Sequence, residues 1–442
     1  MLVVLYAYPG IMTMDSFDQL REGRAWSFTD AHPPAMAALW GLIDRVHAGP
    51  VGMLLLQTGT FTAGLYLVLR RVMTPTRAAL ATCALLLFPP VFAPIAVIWK
   101  DCQMAGFMML GLAWLLDDRP RMRLGGLALL ALATAMRYMA LAATFPLVFL
   151  LFEWRPALHW LKRYAIATGA WLAITAAAMG ANSLLADRNL HLWHSTMAFQ
   201  DIAGVLAFVD EEIPDSELGP LLEPTGVRVH ARYHAAIRAA YVSYDFQDLV
   251  LGDRRLWDVD WTVAMPEARR DAVGRAWSTL IRTHLGAYAR YRLENFGEAL
   301  GVNRKFAGAT VITHRSQYPG MLDYMGLSKG SWRVQEIAAR YPTWMAKRTR
   351  LFRPHVYALL ALALLALALA VERRRDVIAI LASGLCLELS MLPLTATPDY
   401  RYSHWMVVTT LLAAILLFAV RFRRRRAVDL GAQDRELADD VR

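Results

Sequence analysis

Apolar runs of membrane-spanning length recur along this chain and limit what it can fold into. About 18 or more apolar residues suffice to cross roughly 30 Å of hydrocarbon as a helix. Residues 51–69, 77–99, 164–185, 356–371, 377–394 and 404–420 form such runs. Shorter runs lie at 103–116, 124–136 and 138–154. The first and last of these cross with tilt, and 124–136 is required as a crossing by its neighbours. With 57% hydrophobic residues overall, the chain reads as an all-α polytopic membrane protein. Residues 1–12 are apolar but only half a span, with no basic leader and no small-residue cleavage site. They imply a first helix that is very short or truncated by a late start.

The net charge of +10 points to topology, and nucleic acid is not implied as a partner. Basic residues sit in short loops after successive runs: Arg70, Arg71 and Arg77; Arg119, Arg121 and Arg123; Arg155, Lys162 and Arg163; Arg373, Arg374 and Arg375; Arg421 and Arg423 to Arg426. Lys and Arg accumulate in cytoplasmic loops. One threading of about ten or eleven helices, N-terminus inside, puts every cluster on that side. The Arg-, Ala- and Leu-rich composition suits a bacterial inner membrane. Four parts follow: a transmembrane core at 1–185 with a first outer loop at 13–50, an extracytoplasmic domain at 186–350, C-terminal transmembrane helices at 351–426, and a cytoplasmic tail at 427–442.

In the first loop, Asp15 and Ser16 open an amphipathic interfacial helix, which the His32-Pro33-Pro34 run ends. A short apolar helix follows at 35–46. In the outer domain, Val273, Trp277, Leu280, Ile281, Leu285, Tyr288 and Tyr291 recur at helical spacing after Pro266. The domain is therefore expected to be mainly helical. Cys83, Cys102 and Cys386 read as small buried residues without metal spacing. Walker-type and His-Glu-x-x-His motifs are absent from the sequence.

Five ionisable residues emerge together in this threading. Asp15, Asp101, Arg137, Asp399 and Arg401 all stand at ends of apolar runs, on the face opposite the basic clusters. Charges held at the mouth of a helix bundle are functional candidates. Glu388 lies inside a span and needs a partner there.

Their order along the chain resembles that of the GT-C superfamily of membrane glycosyltransferases. The likeness is to the branch containing protein O-mannosyltransferases and the lipid A aminoarabinose transferase, family 39-like. It rests on Pro9-Gly10 through Asp15-Ser16-Phe17-Asp18-Gln19, on Asp30-Ala31-His32-Pro33-Pro34, and on Trp99-Lys100-Asp101. Met136-Arg137, the stretch 277–296 with Tyr288, Arg290 and Arg292, and Asp399-Tyr400-Arg401-Tyr402 complete it. One departure is Asp15-Ser16, where the family carries an Asp-Glu pair.

The resemblance implies a GT-C-like bundle that moves a sugar from a polyprenyl-phosphate carrier to an extracytoplasmic acceptor, with inversion. It leaves room for a divalent metal, whose ligands it does not assign, and no other cofactor is implied. Such chemistry needs a carboxylate base and cations for the leaving phosphate. Asp15 is the candidate base. Asp101, Asp18 and Asp30 are candidate second acids or acceptor contacts. Lys100, Arg137, Arg401 and His404 are candidate phosphate binders, and His32, Asp399 and Tyr402 support them. Structural readings stand beside these roles. Asp15 and Asp18 could be a cap and an exposed face. Asp101 could pair with Lys100 or Arg137, Asp399 with Arg401, and His32 could hydrogen-bond within its loop. Function of another class, transport or flipping of a lipid-linked sugar, also fits a multi-pass bundle.

Overall fold

The computed structural model describes residues 1–155, 157–243, 245–253, 255–302, 311–314, 317–327, 332–372, 374–395 and 397–419. The basic run 421–426, Arg373 and the tail lie outside them. Among the described residues the regular elements are helices, joined by isolated bridges only.

The first half comprises α1 (Leu2–Ala7), α2 (Met14–Ala25), α3 (Pro34–Val46), α4 (Val51–Arg70), α5 (Pro75–Leu87), α6 (Pro89–Ile95), α7 (Lys100–Leu115), α8 (Pro120–Met136), α9 (Ala140–Leu151) and α10 (Trp160–Leu185). The insertion contributes α11 (Met197–Phe208), α12 (Asp215–Leu222), α13 (Tyr233–Ala240), α14 (Gln247–Val250), α15 (Glu267–Thr283), α16 (Leu285–Ala299), α17 (Pro319–Tyr324) and α18 (Arg333–Arg348). The chain closes with α19 (Pro354–Leu367), α20 (Arg375–Leu394) and α21 (Tyr400–Ala419).

Among the described residues five helices, α4, α10, α19, α20 and α21, are long and apolar enough to cross a membrane. The run 77–99 does not form one straight span. It breaks at Phe88, and α5 and α6 meet at 74°. Pro89 and Pro90 lack the N–H groups that would continue α5, and they begin α6 instead. Two further expectations change for similar reasons. The interfacial helix α2 stops at Trp26, in the left-handed conformation (φ 50°), well before His32-Pro33-Pro34. Those prolines open α3. The helical stretch at 267–300 divides at His284, whose φ of −123° and ψ of 50° leave the helical region and end α15.

Glycines set the closest helix approaches. A β-carbon at Gly64 would lie 2.4 Å from the Leu110 backbone nitrogen, so α4 and α7 cross almost backbone to backbone. Gly111 and Gly126 do the same for α7 and α8, each β-carbon position facing the other's carbonyl at 3.1 and 2.9 Å. Small residues at crossings are how apolar helices gain packing where lipid offers no hydrophobic advantage. The insertion buries its own core, with Phe199 stacked on Trp257 at 4.4 Å.

The two ends of the bundle differ in charge. At one, Glu153 gathers Arg163 and Arg375, and its carbonyl accepts from Arg123. At the other, the insertion is tied to the interhelix segments. Asp30 accepts from the Leu190 and His191 backbone, Gln317 from Met12 N, and Arg292 donates to Thr395 O.

Gly64→Leu should therefore force α4 from α7 and cost roughly 1–3 kcal/mol, typical of overpacking. Gly59→Leu, which meets nothing within 4 Å, should leave the melting temperature in detergent near that of the parent. Equal melting of the two variants would remove the backbone contact as the cause.

Candidate functional site

Two helix N-termini are laid side by side by the extended strip between α1 and α2. Gly10 (φ 144°) lets this strip run against Pro50 and Ile98, where a β-carbon would come within 2.6 and 2.8 Å of them. Ile11 bridges Val97 in parallel, and Ile98 N donates to Ile11 O at 2.9 Å. Ser16 Oγ donates to Ile98 O at 2.6 Å and accepts from Thr13 N at 3.1 Å. Trp99 Nε1 donates to Thr13 Oγ1 at 2.9 Å. Gln57 Nε2 donates to Ile95 O and Val97 O, both at 2.9 Å, holding the strip that leads into α7. Asp15 and Asp101 then occupy the first turns of α2 and α7, where free N–H groups and the helix dipole favour a carboxylate.

Arg401 stands between them. Its Nη1 lies 2.9 Å from Asp15 Oδ2, and its Nε lies 3.0 Å from Asp399 Oδ2 and 3.9 Å from Asp101 Oδ2. Asp399 also caps the first turn of α21, accepting from Arg401 N at 3.2 Å. Asp101 is in direct ion-pair contact with Arg137, both side chains being under 10% exposed. Aromatic faces complete the wall. Arg401 lies over Trp99 (4.9 Å) and Tyr402 (5.3 Å), and Arg137 over Tyr402 (4.5 Å), as cations do over π faces.

Lys100 differs from the two arginines. Its Nζ bonds to His32 Nδ1 at 2.9 Å, and among the described residues it forms no ion pair. His32 Nδ1 must therefore accept, which puts the imidazole proton on Nε2. Burial, reinforced by the Lys100 and Arg401 charges, lowers His32 to about 3, consistent with a neutral ring. Burial tends to raise Asp15, but the Arg401 and Lys100 charges more than offset it and hold the carboxyl well below the usual carboxylate range. In Asp399 burial prevails over Arg401 and moves the carboxyl up.

Asp15, His32, Lys100, Asp101, Arg137, Asp399, Arg401 and Tyr402 thus converge, as their positions in the sequence suggest. Three other candidates do not. Asp18, one turn along α2, is half-exposed and pairs with Arg21 at 2.9 Å. Asp30 is occupied by the Leu190 and His191 backbone N–H groups. His404 falls within α21 and stacks on Phe61 at 6.0 Å in the bundle core. Glu388 finds a partner in Ser403, whose Oγ donates to it at 2.8 Å.

Sequence reasoning passed over Thr13, although Thr at the N-cap with Ser three residues later is a capping signal. It gave Arg292 no more than a family flavour. Arg292 pairs with Asp201 at 2.6 Å, and Asp201 also accepts from Tyr291 and Trp277 at 2.9 and 2.8 Å. The same guanidinium donates to Thr395 O at 3.0 Å. It so anchors the segment that carries Asp399 and Arg401.

A divalent metal does not fit the carboxylates as they stand. Asp15, Asp101 and Asp399 are turned to the guanidinium groups of Arg401 and Arg137, and no group of three or more His, Cys, Asp or Glu among the described residues is placed to hold an ion. In comparison with known proteins, no family model, no curated protein and no solved structure matches the chain.

If the Asp101–Arg137 contact is structural, Asp101→Asn alone should cost roughly 3–5 kcal/mol, because it leaves a buried guanidinium unpaired. Asp101→Asn combined with Arg137→Gln should recover part of that loss. Additive losses in thermal unfolding of the four proteins of the cycle would show that the two side chains are not coupled.

Proposed function

We propose that this chain is an inverting glycosyltransferase of GT-C type, which moves a sugar from a polyprenyl-phosphate carrier to an acceptor. The reading includes a bundle of about ten or eleven spans with its site on the extracytoplasmic side of a bacterial inner membrane. One observation carries it: Asp15, a carboxylate at a helix N-terminus, shares Arg401 with two other acids, while neighbouring Lys100 is left without a carboxylate.

Carrier phosphate has two cations to approach. Lys100 offers a charge that, among the described residues, no carboxylate contacts directly. Arg401 offers a fork whose Nη1 is held by Asp15 alone, so phosphate oxygens compete with Asp15 for it. As phosphate takes that contact, Asp15 loses its main counter-charge and its proton affinity rises. The base is in this sense masked until the donor binds. The acceptor O–H or N–H proton then passes to Asp15 Oδ2. The acceptor's electron pair forms the new bond to the anomeric carbon, and the bond from that carbon to the phosphate oxygen breaks with its pair leaving on phosphate. Arg401 and Lys100 balance that charge. The dolichol- or undecaprenyl-like tail lies along the apolar helices. Sugar and acceptor are not identified by these groups.

Transport of a lipid-linked sugar is the second reading. The sharp break between α5 and α6 favours it, since broken helices line transporter sites.

The test is release of radiolabelled sugar from polyprenyl-phosphate donors by the purified full-length chain. Asp15→Asn should lower kcat by about 10²- to 10⁴-fold, the usual share of a general base, and Lys100→Met should act chiefly through KM for the donor. Transfer at the parental rate by Asp15→Asn would remove Asp15 as base. Movement of carrier across liposomes without sugar loss would establish the second reading. The acid limb carries a further expectation. Free Asp15 is ionised well below the ordinary range, so kcat/KM should hold from neutral pH down to about pH 5, while kcat falls at higher pH because the bound complex has the raised carboxyl. Coincident acid limbs would contradict the unmasking of Asp15.

A further inference from the structure

A second basic cleft lies apart from the ion cluster, between α1 and α18. Gln335 near the start of α18 donates to Leu5 O and Tyr8 O at 3.0 and 2.7 Å, which satisfies carbonyls at the end of α1 and docks the two helices. Tyr8 and Trp332 rings meet at 5.8 Å. The open cleft between them has a volume of about 420 Å³, and its lining includes Tyr6, Glu336, Arg340, Trp344 and Lys347. It shares no residue with the cluster around Arg401. Arg340 and Lys347, two turns apart on one helix face, form no ion pair among the described residues.

The rim of this cleft is apolar. On α18, Val334, Ile337, Tyr341 and Trp344 are more than half exposed and recur at helical spacing, as are Leu2 and Leu5 on α1. Arg333 and Arg348 flank the stripe and are exposed as well. An exposed apolar stripe beside cations is the pattern of a helix lying in a membrane interface. The chain position agrees, because α18 ends just before α19, one of the five helices able to span.

We propose that the α1–α18 cleft binds the head group of an anionic phospholipid. Arg340 and Lys347 hold the phosphate, and Trp344, Tyr341 and Ile337 rest on the acyl chains. Charge complementarity selects an anionic lipid over a zwitterionic one, and the apolar rim selects a lipid over a free anion. This inference rests on the membrane reading only, and it stands or falls independently of sugar transfer.

Binding is measured as the rise in melting temperature of the full-length chain in detergent, titrated with a short-chain phosphatidylglycerol, phosphatidylcholine or inorganic phosphate. Phosphatidylglycerol is expected to raise it, and the other two to leave it nearly unchanged. Arg340→Gln with Lys347→Gln should weaken the apparent affinity roughly 25-fold, from about fivefold per cation at a membrane surface. Its lipid-free melting should stay at the parental value, because both side chains are exposed. Arg70→Gln with Arg71→Gln, at the other end of the bundle, should bind as the parent does. Equal shifts from both lipids, the full shift from inorganic phosphate, or parental affinity in the Arg340/Lys347 variant would each overturn the proposal.

Discussion

A single guanidinium among three carboxylates determines how this end of the molecule is put together. Arg401 meets Asp15, Asp101 and Asp399, which come from the start, the first third and the last part of the chain. In a poorly hydrated setting each of these acids is costly unless paired. The cost is met only when α2, α7 and the segment before α21 arrive together. The hydrogen bonds among Thr13, Ser16, Ile98 and Trp99 serve that meeting, since they fix the approach of the two helix N-termini. The cluster thus acts as a closure condition on the bundle as well as a charged surface.

The same balance governs what the site has to offer a ligand. Arg137 is committed to Asp101, while Arg401 is shared, and a shared cation can be drawn away from one partner without stranding the others. Lys100 is held by a neutral histidine, which takes no charge from it. A site built this way keeps its stability in the unliganded state and still has attraction in reserve for an anion.

The sequence made the helical class legible, because long apolar runs admit few alternatives, and it made most of the cluster legible, because ionisable residues at run ends are few. Asp18, Asp30 and His404 illustrate what it could not reveal. Each lies within a few residues of a true member, and only the phase of its helix or the reach of a backbone N–H decides where the side chain goes. The break at Phe88 was hidden by composition, since two prolines in an apolar run leave its hydropathy nearly intact while removing the donors that would carry it straight. Arg292 was hidden for another reason. Its target is a main-chain carbonyl at Thr395, and nothing in the sequence marks which carbonyl a distant arginine will find.

The insertion meets the bundle through Asp30, Gln317 and Arg292, and through Gln335 of α18 against α1, anchors spread over separate segments. A domain joined only at its two chain ends could swing; one pinned at several separate points has no axis left to turn about. Among the described residues, the outline at this end of the molecule is therefore fixed by contacts distant from one another along the chain, and a change at any one anchor is felt at the ion cluster through the segment it holds.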